Sequence, residues 1–212
     1  MTIGIIDYGM GNLGSVSNAC RFLSLPARIL TAPDELDACD ALILPGVGAF
    51  GDCMRHLTEH GFTEPVRAWI AADRPFLGIC LGLQVLFEAG EESPGVPGLG
   101  VFPGVVRRFQ TPSSLKVPQI GWNRVRQCPS GRALFAGIPD GTHFYFVHSY
   151  YVDGADTSLI AGVTDYGITY TSAVACGRVM AVQFHPEKSQ QAGLSLLRNF
   201  HDIATAAKAA PV

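Results

Sequence analysis

The stretch Pro75-Phe76-Leu77-Gly78-Ile79-Cys80-Leu81-Gly82-Leu83-Gln84 decides how this chain folds and what chemistry it can carry. Its first half is a short apolar run opened by Pro75, which predicts a buried strand over Pro75–Ile79. From Cys80 the pattern becomes that of a helix reaching about Ala89. Gly78 and Gly82 stand two positions either side of Cys80. A strand that turns at once into a helix crowds two backbones together, and glycine on both sides of the corner makes the room. A thiol on that corner lies at a helix N-terminus, whose dipole favours the thiolate. The next N–H, that of Leu81, can aim at a developing oxyanion. An isolated cysteine reads as a small buried hydrophobe. Flanked by glycines at a strand–helix corner, Cys80 reads as a nucleophile.

Toward the N-terminus, Thr2–Ile6, Ala27–Leu30 and Ala41–Leu44 read as further strands. Helical patterns cover about Leu13–Leu23, with Asn12 as N-cap, then Gly51–His60 and Phe62–Ala72. Strand and helix alternate, and the strands are apolar on both faces. That pattern predicts an α/β fold, with a mostly parallel central sheet flanked by helices. After Glu92, Pro/Gly-rich loops separate strand-like runs near Val105–Phe109, Thr142–Val152, Leu159–Val163 and Ile168–Val174. Val179–Phe184 reads as the last strand. A helix over about Gln190–Ala207 follows, with Leu194, Leu197, Phe200, Ile203 and Ala207 at helical spacing. No repeat or long linker divides the chain, which predicts one domain over 1–212.

Composition narrows the class. Of 212 residues, 48% are hydrophobic and 16% charged, which excludes disorder driven by low hydrophobicity. A net charge of −3 argues against a nucleic-acid partner bound through the whole surface. The longest uncharged stretch, Ser93–Val106, is broken by three prolines and too short for a membrane span. The N-terminus has no basic leader, and Asp7 interrupts its apolar run at once. Cysteines 20, 39, 53, 80, 128 and 176 form no C-x-x-C pair, so they read as reduced thiols of a cytoplasmic protein.

A thiol nucleophile needs a base. His185 ends an apolar strand in Gln183-Phe184-His185-Pro186-Glu187-Lys188-Ser189. Parallel strands ending at one edge bring their last residues together, so His185 is expected beside Cys80. Glu187, two residues on, can accept the other ring N–H and fix the tautomer. The turn Pro45-Gly46-Val47-Gly48 ends another strand. Glycines on both sides of Val47 leave its peptides free to rotate, which suits a second oxyanion donor at Val47 or Gly48.

Two other motifs compete. Gly9-Met10-Gly11-Asn12-Leu13-Gly14 matches G-x-G-x-x-G, with Asp34 twenty residues on from Gly14, as in dinucleotide sites. The spacing of its strand and acid is imperfect. His56-Leu57-Thr58-Glu59-His60 matches H-x-x-E-H. It lies in a last helical turn, where the dipole favours histidine without metal. Neither a cofactor nor a metal is expected. Between Glu92 and Asp140 there is no acidic residue, while Arg107, Arg108, Lys116, Arg124, Arg126 and Arg132 fall there. This run reads either as a docking patch or as an ordinary solvated face.

The elbow Gly78-Ile79-Cys80-Leu81-Gly82-Leu83-Gln84, together with Phe184-His185-Pro186-Glu187, resembles the class I (triad) glutamine amidotransferases. That resemblance implies a single flavodoxin-like amidotransferase domain. Ile6–Asn12, Pro45–Phe50, Val117–Asn123, Tyr145–Tyr150 and Pro186–Ser189 are similar to segments of the glutaminase subunits of imidazole glycerol phosphate synthases. The likeness runs from the first strand to the last helix. One departure is Gln119, where that group more often carries histidine. The resemblance implies hydrolysis of L-glutamine to glutamate and ammonia by a Cys80–His185–Glu187 triad, with Val47, Gly48 and Leu81 at the oxyanion. It places Gly46, Gln84, Ser149 and Tyr150 around the glutamine. It also implies a (β/α)8-barrel cyclase subunit as heterodimer partner, met by Asn12, Trp122, Tyr145 and Lys188. Two alternatives stay open at this point: a triad glutaminase serving another acceptor pathway, and a stand-alone γ-glutamyl hydrolase.

Overall fold

A computed structural model describes residues 1–110, 112 and 115–209. The first half alternates strand and helix: β1 (Ile3–Ile6), α1 (Leu13–Phe22), β2 (Ala27–Leu30), β3 (Ala41–Gly46), α2 (Phe50–Glu59), α3 (Thr63–Ala71), β4 (Phe76–Cys80) and one helical turn, α4 (Leu81–Gln84). The second half is rich in strands. They are β5 (Ala89–Gly90), β6 (Val105–Arg108), β7 (Gln119–Arg124), β8 (Arg126–Gln127), β9 (His143–His148), β10 (Tyr150–Asp153), β11 (Ile160–Asp165), β12 (Thr169–Cys176) and β13 (Val179–Val182). The long helix α5 (Gln190–Ala209) closes the chain.

Among the described residues, eleven strands form one sheet in the order β2-β1-β3-β4-β13-β12-β10-β6-β5, with β11 and β8 branching from β12. β7 and β9 pair apart from it. The run β2-β1-β3-β4-β13 is parallel, and antiparallel pairing begins at β12. The order 2-1-3-4 is that of flavodoxin-like, doubly wound sheets.

The apolar character of these strands follows from burial on both faces. On one face Ile3, Ile5, Ile43, Leu77, Ile79 and Val182 pack with Val16 and Cys20 of α1 and Leu196, Leu197 and Phe200 of α5. On the other, Ile6, Leu42, Leu44, Phe76 and Ala181 pack with Phe50 and Leu57 of α2 and Val66, Trp69 and Ile70 of α3. The register then fixes the rim. Gly46 pairs with Cys80 and Val182 pairs with Ile79, so β3, β4 and β13 deliver their last residues to one place.

The structure departs from the sequence expectation at several points. The helix after Cys80 is one turn rather than a run to Ala89, because Val85–Phe87 are pulled into loop contacts with Leu99–Phe102. The expected strand Thr142–Val152 divides at Ser149 into β9 and β10, which belong to different sheets. β7 has no counterpart in the expectation, since its exposed positions alternate with polar residues and Gly121 takes a positive φ of 129°. The buried stripe of α5 centres on Leu196, Leu197, Phe200 and Ala204, with Leu194 and Ile203 beside it. Asn12 enters α1 through its backbone carbonyl, which accepts from Val16 N–H at 3.2 Å; its side chain makes no cap. The basic run is partly neutralised from outside itself. Arg107 pairs with Glu91 at 2.9 Å and Asp153 at 2.7 Å, and Arg126 lies 3.4 Å from Asp165.

A tight crossing lies between β3 and α4, where a Cβ on Gly82 would overlap the carbonyl oxygen of Leu44. Gly82→Ala is therefore expected to lower stability by about 3 kcal/mol. Urea unfolding checks this; a change under about 0.5 kcal/mol would show that the crossing can relax.

Candidate active site

Cys80 sits at φ 56° and ψ −106°, a conformation that a residue with a Cβ adopts only under constraint. The constraint is the elbow. A Cβ on Gly78 would come within 2.7 Å of the Gly82 carbonyl carbon, so only glycine lets strand and helix meet this closely. With α4 a single turn, few peptide dipoles add up behind the thiol. Charge balance for the sulfur falls to His185.

His185 follows β13, and its N–H donates to the Tyr145 carbonyl at 2.9 Å. Its own carbonyl accepts from Ser189 Oγ at 2.6 Å, and Ser189 Oγ accepts from Tyr145 N–H at 3.0 Å. His185 is thus tied at both its backbone N–H and its carbonyl, with Ser189 linking the two ends back to Tyr145. His185 Nδ1 lies 2.8 Å from Glu187 Oε1, and both side chains are at most 2% exposed. Nε2 makes no hydrogen bond among the described residues and is the nitrogen left to serve Cys80 across the shared cavity. Burial by itself would lower the His185 value. The nearby Cys80 sulfur and the hydrogen-bonded Glu187 carboxylate outweigh it and raise the imidazole to about 10.

A cavity of about 360 Å³ opens above this pair. Val47, Gly48, Cys80, Leu81, Gln84, Ser149, Tyr150 and His185 line it, so eight of the expected site residues share one space. Gly46 lies in the wall behind, where a Cβ would come within 2.8 Å of both Leu81 Cβ and the Tyr8 hydroxyl. Tyr8 donates to the Pro45 carbonyl at 3.0 Å and accepts from Cys53 Sγ at 3.3 Å, which holds the end of β3. Glu187 stands behind the imidazole. The volume suits a ligand of amino-acid size.

Sequence reasoning missed several neighbours. Gln183 donates to Cys80 Sγ at 3.7 Å, and its Oε1 accepts from Gln84 Nε2 at 3.0 Å. Period-two alternation before His185 was the available signal. Glu92, Pro118, Val147 and His148 also line the cavity. Burial pulls His148 down to about 4, so it is neutral at ordinary pH, and its Nδ1 lies 2.7 Å from the Tyr150 carbonyl. Gln119 is buried and accepts from the Tyr170 hydroxyl at 3.0 Å. The departure at Gln119 therefore falls in this interior network and not on the outer surface.

The outer residues cluster. Trp122 and Tyr145 face each other across β7 and β9 with ring centroids 6.1 Å apart, and Lys188 Nζ lies 5.8 Å over the Tyr145 ring. Ile120 and Trp122 are exposed large apolar side chains on the same short sheet. Asn12 stands at the entry to α1, after the C-terminal end of β1.

The competing motifs do not form sites. A Cβ on Gly14 would meet nothing within 4 Å, so this glycine does not permit the close helix–strand packing of a dinucleotide fingerprint. Asp34 lies in a 3-10 segment, Pro33–Ala38, beyond β2. His56 and His60 stack on each other with centroids 6.0 Å apart, while Glu59 pairs with Arg55. Among the described residues no group of three His, Cys, Asp or Glu side chains could hold a metal. Nor is any helix among them long and apolar enough to cross a membrane.

A thiol on a glycine-flanked elbow, a histidine–carboxylate pair at the next strand end and a 2-1-3-4 sheet define a class of protein. The profile described as glutamine amidotransferase class-I matches residues 5–203, and the chain belongs to that family. Within it, the chain is 51% identical over 198 residues to imidazole glycerol phosphate synthase subunit HisH of Desulfitobacterium hafniense, covering 93% of this chain and 92% of that one. It is 47% identical over 201 residues to the subunit of the same name from Moorella thermoacetica, covering 95% and 94%. A crystal structure described as a glutamine amidotransferase shares the fold, with a TM-score of 0.75 at 21% identity over 96% of this chain and 98% of that one.

The raised His185 value has a sign that can be tested. The folded value exceeds the ordinary one of 6.5, so protonated His185 adds stability that is whole below about pH 6.5 and is lost as pH climbs through about 10. Proton NMR of the His185 ring is expected to place its titration near 10, and Glu187→Gln is expected to lower it. A ring titrating near 6.5 in the native chain would contradict the pairing.

Proposed function

We propose that this chain, read as one domain over 1–212, hydrolyses L-glutamine to glutamate and ammonia. It hands the ammonia to a (β/α)8-barrel cyclase subunit that makes imidazole glycerol phosphate and an aminoimidazole carboxamide ribotide in histidine biosynthesis. The observation that carries the chemistry is the line from Cys80 through His185 to Glu187, buried at the rim where β4 and β13 end. The curated relatives named above carry the assignment to a synthase subunit.

In this reading the Cys80 sulfur attacks the side-chain amide carbon of glutamine. The oxyanion is held by the Leu81 N–H and by an N–H of Val47 or Gly48, each donor being worth about 3–4 kcal/mol. His185 gives its proton to the departing ammonia, leaving a γ-glutamyl thioester on Cys80. It then takes a proton from water, which attacks the thioester, releases glutamate and restores the thiolate–imidazolium pair. Glu187 keeps Nδ1 protonated and the ring oriented throughout. Gly46, Gln84, Ser149 and Tyr150 position the glutamine.

Ammonia stays a nucleophile only while it stays unprotonated, so transfer needs a water-poor junction with the acceptor subunit. The face carrying Asn12, Trp122, Tyr145 and Lys188 is the proposed docking surface. Its exposed Ile120 and Trp122 supply apolar area beside the cavity. Gly48, at φ 98°, and the 40% exposed Val47 give the oxyanion peptide freedom to rotate. A donor turned away in the free chain would keep glutamine from being consumed without its partner.

Cys80→Ser is expected to lower glutamine turnover at least about a thousandfold while the far-UV circular dichroism stays native. Turnover at the original rate would remove Cys80 from the role of nucleophile. Glutamate release by the chain alone is expected to be slow and to rise at least about tenfold once a barrel cyclase and its ligand are added. Full activity without the cyclase would dispose of the rotation.

A further inference from the structure

Gln183 has no part in the proposed triad, yet among the described residues it is the one side chain with a nitrogen hydrogen-bonded to the Cys80 sulfur. It is wholly buried, in a strand end otherwise filled by apolar side chains. Burying a primary amide costs free energy unless each of its polar atoms finds a partner. Both do. Oε1 accepts from Gln84 Nε2 at 3.0 Å, and Nε2 donates to Cys80 Sγ at 3.7 Å.

The orientation of this amide is forced. Gln84 Nε2 also donates to the Tyr150 carbonyl at 3.0 Å. A carbonyl can only accept, so the Gln84 amide must present its nitrogen there and to Gln183. Gln183 must then meet Gln84 with its oxygen, which leaves its N–H groups for the sulfur. Flipping either amide would set two acceptors or two donors against each other.

We infer that Gln183 is a positioning residue for the reaction, a fixed N–H donor that stabilises the Cys80 thiolate and holds the sulfur at the cavity floor. This rests on Cys80 being the nucleophile. A neutral donor favours an ionised acceptor over a neutral one, because the hydrogen bond to the charged form is roughly twice as strong. Gln183 adds that preference without competing with His185 for a proton, since an amide does not titrate.

The other titratable groups facing the sulfur leave this effect readable. Burial, followed by Cys53 and Cys80, pushes Tyr8 far up. Burial pushes Cys53 to about 12 and Tyr170 well above its ordinary value. These three stay neutral across ordinary pH. Glu92, at the cavity edge, is held by Phe50 N–H at 2.8 Å. Among the described residues His148 is neutral, and His185, backed by Glu187, is the single facing group that carries positive charge.

The test is the pH dependence of Cys80 alkylation by iodoacetamide in the full chain, followed by peptide mass spectrometry so that the other five cysteines are separated. The midpoint of that curve reads the sulfur and is not moved by reagent access. Gln183→Glu keeps the acceptor for Gln84 and removes the donor to sulfur. Gln183→Met removes both at similar volume and serves if the buried carboxylate prevents folding. Each folded variant is expected to shift the midpoint upward and slow alkylation about tenfold below it. A curve superimposable on that of the original chain, in either folded variant, would overturn the inference and leave Gln183 as a support for Gln84 alone. Turnover surviving in Cys80→Ser would instead sink the reading of the reaction, whatever the alkylation curves show.

Discussion

The site depends on one alignment: β3, β4 and β13 run parallel, side by side, and end at the same level. Each strand is short and buried on both faces, so its register is fixed by the packing of α1 and α5 on one side and α2 and α3 on the other. A slip of one residue in β13 would exchange the faces on which Val182 and Gln183 lie and carry His185 away from Cys80. The elbow imposes a second constraint. Cys80 can hold a positive φ because Gly78 and Gly82 let α4 pass over β3 without a clash, and the strain there is met by the packing of a whole sheet.

Electrostatics then follows from geometry. A histidine and a carboxylate buried to this degree are costly to hold unless each finds a partner. Glu187 serves the imidazole on one side and the sulfur serves it on the other, which is why the balance for His185 tips upward in spite of burial. Nearby His148 shows the opposite outcome. It has a carbonyl and a phenol for neighbours and no carboxylate, so burial prevails and it stays neutral. Two histidines in one small region thus divide into a charged and an uncharged one, and the charge on His185 itself pushes His148 further toward the neutral form.

Much of this was legible in the sequence, and for a local reason. The spacing of Gly78, Cys80 and Gly82 encodes the elbow directly, and the apolar run of β13 leading toward His185 encodes the rim. What the sequence hid was set by contacts distant along the chain. The helix after Cys80 has the periodicity of a longer one, but Leu99 and Val101 donate to the Val85 and Leu86 carbonyls and end it early. Thr142–Val152 carries one continuous apolar pattern, and only the pairing of β9 with β7 and of β10 with β6 breaks it at Ser149. The basic run looks unopposed because its acids, Glu91, Asp153 and Asp165, lie outside the segment.

Tyr145 joins surface and site through its two ends. Its ring lies between Trp122 and Lys188, at the face proposed to meet a partner, while its carbonyl accepts from His185 N–H and its N–H donates to Ser189 Oγ. Ser189 in turn donates to the His185 carbonyl, closing a small ring of hydrogen bonds around the base. A displacement of β9 at that face acts first on the bond between His185 N–H and the Tyr145 carbonyl, which joins backbone directly to backbone. The outer face and the imidazole are therefore parts of one mechanical unit. A partner seated on Trp122 and Tyr145 would bear on the geometry of the proposed Cys80–His185–Glu187 triad without touching any of its members.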